Sequence, residues 1–157
     1  MSAQRRELVD AIDRGIIGIL QSNGRTPNRE IARTLDISEA SVRNRVSRLL
    51  DQGLINIVAA PTPKAVGLTM SAIIGIAVEM RQLDQVIDTI VGYGEVRYLG
   101  ISTGEHDVII EAFFEDQEHM FQFLTRKLGH LDGVLNVETS VILKVAKFSY
   151  EWEVPQL

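Results

Sequence analysis

Apolar positions in the first sixty residues repeat with the period of helices. Leu8, Ile12, Ile16, Ile19 and Leu20, with Val9 and Ile17 beside them, lie at helical spacing and predict an amphipathic first helix. Gly15 and Gly18 weaken it, each by up to about 1 kcal/mol relative to alanine, so packing has to compensate. Asn23-Gly24 offers the left-handed exit that ends a helix. Thr26-Pro27 reads as an N-cap followed by proline at the first helical position, and opens a short second helix with Ile31, Ala32 and Leu35 on one face. Asp36-Ile37 makes a tight turn, and Asp tolerates the left-handed backbone there. Ser38 caps a third helix whose first turn carries Glu39, suited to the helix dipole. Val42, Val46, Leu49 and Leu50 form its expected buried stripe, and Gln52-Gly53 closes it. Residues 54–58, Leu-Ile-Asn-Ile-Val, then predict a strand where a winged helix-turn-helix places its wing. Two prolines among small residues at 59–64 suggest a semi-rigid hinge.

Beyond Thr69 the period changes to two. Met70, Ala72, Ile74, Ile76, Val78 and Met80 alternate with Ser71, Ile73, Gly75, Ala77 and Glu79, which predicts a strand. Leu83, Val86, Ile87, Ile90 and Val91 return to helical spacing. Gly92-Tyr93-Gly94 releases the chain into a second strand over residues 96–102, and a turn at Thr103-Gly104-Glu105 leads into a third over 106–114. Asp116 caps another helix carrying Met120, Phe121, Leu124, Leu128 and Leu131. Asp132-Gly133 ends it, and residues 134–148 alternate as a last strand, with Leu135, Val137, Thr139, Val141, Leu143 and Val145 on one parity. The order is βαββαβ, which gives a four-stranded antiparallel sheet with both helices on one face. The face without helices displays the second parity, including Ile73, Ala77, Ile109 and Phe113. A partly apolar uncovered sheet predicts burial against a second copy of the chain, hence a homodimer.

Composition narrows the class. Hydrophobic residues are 45% and charged residues 24% of 157, as in ordinary globular proteins. The longest stretch without charge or proline, residues 65–78, is 14 residues, short of the roughly 20 a spanning helix needs. Met1-Ser2-Ala3-Gln4-Arg5-Arg6-Glu7 has no apolar core, so no signal peptide and a cytoplasmic location are expected. The absence of cysteine removes disulfides, thiolate metal sites and cysteine nucleophiles. No cofactor or metal site is expected: His106, His119 and His130, all the histidines present, fall in different elements without ligand spacing.

The net charge of −5 hides an asymmetry, because residues 1–60 hold nine arginines against seven acids (+2) and residues 61–157 seven bases against fourteen acids (−7). On the third helix, the side opposite the apolar stripe carries Ala40, Ser41, Asn44, Ser47 and Arg48, flanked by Arg43 and Arg45. Short side chains allow close approach to a duplex, Asn can address a base edge, and Arg reaches phosphate or guanine. An ordinary solvated charged face is the alternative. Two capped helices joined by a two-residue turn favour the DNA reading, with Arg29, Arg43 and Arg48 on phosphates and Ser41, Asn44 and Arg45 at bases. Ser38 and Ala40 complete the DNA-facing set, and two recognition helices in a dimer suit a palindromic site.

Over nearly its whole length the sequence resembles the Lrp/AsnC (feast/famine) transcription factors. The resemblance rests on Asp10-Ala11-Ile12-Asp13-Arg14, Ile16-Ile17, Asn23-Gly24-Arg25, Ile31-Ala32, Leu35, Ile37-Ser38, Val42, Arg45-Val46, Leu49 and Gly53-Leu54-Ile55. In the second half it rests on Gly104-Glu105-His106-Asp107, Leu131-Asp132-Gly133-Val134 and Thr139. It implies an α+β chain: a winged helix-turn-helix over 1–60, a hinge at 61–68, a βαββαβ ferredoxin-like (RAM-type) effector and oligomerisation domain over 69–150, and a C-terminal tail, 151–157. It further implies a DNA-binding regulator, dimers that assemble further, often to octamers, and a small effector, usually an amino acid. By motif the effector site falls at Gly100, Ser102, Thr103, Gly104 and Asp107, where Asp107 would pair an α-ammonium group; His106 stands where the family usually has an aromatic residue, and Asp36 where it commonly has glycine. A plain β-turn with a structural Asp is the alternative for this segment. Siroheme decarboxylases resemble the family in architecture, so an enzyme on this scaffold is one competing expectation, and a sensing paralogue without DNA binding is another.

Overall fold

The computed structural model describes residues 9–147. Leu8, Phe148 and the tail at 151–157 lie outside the described residues. The chain forms two compact units that divide between Ala59 and Ala60.

The first unit is three helices: α1 (Ala11–Ser22), α2 (Asn28–Leu35) and α3 (Glu39–Asp51). Ile16, Ile31, Val42 and Leu49 are fully buried at its centre. α1 starts later than its apolar pattern, at the Asp10 N-cap. Gly15 permits close packing here, since a Cβ in its place would stand 2.7 Å from Leu35 Cδ2, so the residue that weakens α1 locally lets α2 approach it. Thr26 hydrogen-bonds to the Asn23 carbonyl, and Pro27 holds the cap position of α2 in its place. Asp36 takes the left-handed conformation (φ 53°, ψ 47°) that turns α2 into α3. Ser38 Oγ accepts the Ser41 N–H at 3.1 Å, and Gly53 (φ 63°) follows the end of α3. Leu50, expected in the stripe, is 38% exposed; it lies about 100° round the helix from Leu49, which occupies the centre.

The strand expected at 54–58 does not form among the described residues. A strand needs a partner, and no segment of 9–59 supplies one. The Leu54 and Ile55 N–H groups instead donate to the Leu49 carbonyl at 2.8 and 3.3 Å, and both side chains pack on the helical core.

The second unit contains β1 (Met70–Val78), α4 (Leu83–Val91), β2 (Val96–Ile101), β3 (Val108–Phe114), α5 (Gln117–Gln122), a π-helical continuation (Phe123–Leu128) and β4 (Val134–Val141). The sheet is antiparallel throughout, in the order β2-β3-β1-β4. One parity of β1 (Ala72, Ile74, Ile76, Val78) and one of β3 (Val108, Ile110, Ala112, Phe114) form the core with Val86, Ile90, Phe123 and Leu128 from the helical segments. The other parity, with Ile73, Gly75, Ala77, Ile109, Glu111 and Phe113, forms the opposite face.

Three expectations about side-chain facing fail here for local reasons. Phe121 is 58% exposed while Phe123 is 1% exposed. The wider π turn, closed by the Gly129 N–H on the Leu124 carbonyl at 2.9 Å, shifts the buried face away from simple i, i+4 spacing. Leu135 is 69% exposed because the register slips between Ala77 and Val78, leaving Leu135 unpaired between Val134 and Asn136. β4 stops at Val141, short of the expected 148, and Leu143 and Val145 are exposed.

One ionic group ties the second helical segment to Glu95, the residue that leads into β2. Glu95 accepts Lys127 Nζ at 2.7 and 2.9 Å and lies 3.1 Å from His119 Nε2. Burial pushes its carboxyl up, but Lys127, its own backbone N–H and His119 together outweigh that and hold it below the ordinary range. A depressed folded value stabilises the ionised form, so the contribution is full above the unfolded carboxyl range near about 4.3. It is lost as pH falls through the folded value. Glu95→Gln should therefore narrow the difference in urea midpoint between neutral and acid solution relative to the parent.

Candidate nucleic-acid interface and ligand turn

The face of α3 opposite its core stripe is open. Ala40, Arg43, Asn44 and Ser47 are exposed, and Ser41, Arg45 and Arg48 are half-buried. Arg29 on α2 and Ser38 before α3 are exposed as well. Ser38, Ala40, Ser41, Asn44, Arg45 and Arg48 line one open groove of about 710 Å³, together with Asp10 and Asp13 of the α1 N-terminus. Arg29 and Arg43 are not among the groove's lining residues.

Two acids absent from the sequence-based candidates organise this groove. Asp13 has a side chain only 1% exposed. Its Oδ1 accepts Arg45 Nη1 at 2.8 Å, and its Oδ2 accepts Arg48 Nη2 and, at 3.1 Å, the Asp10 N–H. Asp10 returns the last bond: its Oδ1 accepts the Asp13 N–H at 2.8 Å, which completes a capping box at the start of α1. Asp10 Oδ2 accepts Arg45 Nη1 at 2.7 Å. The Asp13 N–H, joined by Arg45, outweighs the desolvation that pushes the Asp10 carboxyl up and holds it below its ordinary range. Asp10 and then Asp13 raise the Arg45 guanidinium. A sequence signal for this existed. Asp13 is four residues after Val9 and three before Ile16, on the apolar stripe itself, and an acid placed there needs a cation to follow it inside. Arg45 and Arg48, three apart on α3, are that cation pair, so they are partly committed within the protein.

Gly100, Ser102, Thr103, Gly104, His106 and Asp107 fall together at the end of β2 and in the turn to β3. The Ser102 N–H donates to the Asp107 carbonyl at 2.9 Å, and the Gly104 N–H to Ser102 Oγ at 3.1 Å. Asp107 Oδ2 accepts the Val78 N–H at 2.8 Å, tying the turn to the end of β1. Any ammonium group at Asp107 would share the carboxylate with that amide. His106 precedes β3 rather than starting it; its ring lies on Gly75, where any Cβ would collide with the imidazole. His106 Nε2 is 3.4 Å from Glu138 Oε2 across the same face. Tyr98 covers Gly100 in the same manner.

Comparison with known proteins agrees with both halves. A family model described as winged helix-turn-helix DNA-binding matches residues 9–56, and one described as the Lrp/AsnC ligand binding domain matches residues 71–152. The chain is 35% identical over 147 residues to an HTH-type transcriptional regulator of Pyrococcus horikoshii, covering 93% of each. It is 33% identical over 141 residues to the regulator LrpA of Pyrococcus abyssi, covering 89% of this chain and all of that one. Among solved structures, a transcriptional regulator of Neisseria meningitidis in complex with L-Met superposes with a TM-score of 0.86 at 27% identity, over 94% of this chain and 96% of that one. E. coli AsnC shares the fold, with a TM-score of 0.84 at 23% identity over 89% of this chain and 95% of that one. A helix-turn-helix followed by a ligand-binding α+β unit, matched in order and nearly end to end, places this chain in the Lrp/AsnC family of HTH-type transcriptional regulators.

Proposed function

We propose that this regulator reads a duplex with α3 in the major groove. Arg29 and Arg43 anchor on phosphates, Ser38 and Ala40 bring the start of α3 against the backbone, and Ser41, Asn44 and Arg45 address base edges, with Arg48 steadying the face from its end. The observation that carries this reading is the two-sidedness of α3: Val42 and Leu49 are fully buried, while Ala40, Arg43, Asn44 and Ser47 stand in solvent. Residues 1–60 then form the DNA-binding unit, 61–68 the link, and 69–150 the sensing unit. The open sheet face, with Ile73 38% exposed, pairs two copies, and further assembly reaches an octamer. The effector is a small amino acid held at the 100–107 turn, in keeping with the L-Met complex of the Neisseria relative.

The protein works as a cytoplasmic regulator and not as an enzyme. Supporting this, the relatives it matches are named as HTH-type transcriptional regulators.

Arg43→Ala should weaken binding to every duplex and reduce the slope of log affinity against log salt by about 0.9. Asn44→Ala should instead flatten preference at one base position, by about 1–3 kcal/mol. Fluorescence anisotropy on duplexes selected from a random pool, repeated with single L-amino acids, measures both effects and the effector response. Parent-like binding by both variants would remove α3 from the interface.

A further inference from the structure

Arg45 and Arg48, the two half-buried cations of the α3 face, are balanced by Asp10 and Asp13, so the four groups together carry no net charge. The two acids differ in character. Asp13 is 1% exposed and belongs to the core of the unit, whereas the Asp10 side chain is 53% exposed. Both hold Arg45 through the same nitrogen, Nη1. Guanidinium presents five donors in a fixed fork. Holding it by one nitrogen fixes its plane and leaves the donors on Nη2 and Nε for another acceptor.

We propose that Asp10 is a specificity-determining residue: it masks the charge of Arg45 from phosphate at large while holding the fork for a base edge. The inference rests on the DNA reading of α3 and deepens it. Phosphate attraction follows net charge and is blind to sequence, so a neutralised arginine adds little to it. A guanine edge offers two acceptors at fixed spacing, which reward an oriented fork. Asp10 is therefore a positioning residue, acting through Arg45 and not by touching DNA. Its second role, as N-cap of α1, is separable because asparagine caps helices about as well as aspartate.

The test uses the full chain and two duplexes, one of mixed sequence and one selected from a random pool as the tightest ligand. Asp10→Asn keeps the cap and removes the charge. On the mixed-sequence duplex its log–log salt slope should steepen by about 0.9, so that the affinity lost between about 50 and 200 mM salt grows about 3.5-fold. Affinity for the selected duplex should rise less, and the ratio of the two affinities should fall. Asp10→Ala, which loses cap and charge together, should give the same slope; a lower melting temperature in that variant alone reports the cap. An unchanged slope in both variants, with the parent binding in a salt-dependent way, overturns the inference alone. An equal gain on both duplexes, leaving the ratio where it was, also overturns it. A parent without salt-dependent binding overturns the DNA reading and this inference with it.

Discussion

Removing the cations from around Asp13, in the double variant Arg45→Met with Arg48→Met, is expected to cost the helical unit about 3–5 kcal/mol at neutral pH. The carboxylate they leave behind is 1% exposed, and the Asp10 N–H cannot balance a full charge. Asp13→Ala is the milder cut, about 3 kcal/mol and at the low end of that range. It takes one acceptor from Arg45, which keeps Asp10, and one from Arg48, and these side chains are already 26% and 35% exposed and can rehydrate. The pH dependence separates the two variants. An unpaired buried carboxyl has a folded pKa above its unfolded one, so the penalty in the double variant is full above the folded value and relaxes as pH falls through it. Asp13→Ala has no such group, and its deficit should not relax in that way. Urea midpoints of each variant relative to the parent, at neutral and at mildly acid pH, measure this. A deficit in the double variant that stays constant across that range would sink the buried-charge account.

Phe114→Ala should be the most damaging single change in the sensing unit, at about 3–5 kcal/mol. Phe114 closes β3 with no exposed surface. Its ring meets Phe123 at 5.4 Å and the His119 ring edge-on at 5.7 Å, and its backbone pairs with Met70 at the start of β1. Truncation therefore opens a cavity where sheet, α5 and the π turn converge, and it loosens His119 beside Glu95. Because the chain has two compact units, calorimetry should show the transition of the sensing unit moving down while that of the helical unit holds. A shift of both together, or a loss below about 1.5 kcal/mol, contradicts this placement of the core.

Much of the architecture is legible in the sequence. The period of two from Met70 to Val78 and the helical period from Leu83 to Val91 have the expected bounds within a residue or two, because core burial on one face enforces a strict repeat. The Ser38 and Asp116 caps were readable for the same local reason: a short polar side chain beside free N–H groups has few other partners. Ser38, Ala40, Ser41, Asn44, Arg45 and Arg48 share one groove while Arg43 lies outside it, and no local signal pairs the acids that shape that groove with its arginines. Asp10 and Asp13 are separated from Arg45 by 35 and 32 positions, and no local period spans such a gap. The packing of the His106 ring on Gly75 is hidden in the sequence for the same reason.

Sequence alone determined the βαββαβ order of the second unit, the division of the chain into two units and the polar character of the third helix, since each follows from short-range repeats, caps and turn residues. Tertiary structure alone decided which arginines of that helix are held by acids, which phenylalanine fills the core beyond α5, and whether residues 54–58 find a strand partner. Those outcomes depend on what stands opposite each residue in space, and a half-turn of π helix or one bulged residue is enough to change it.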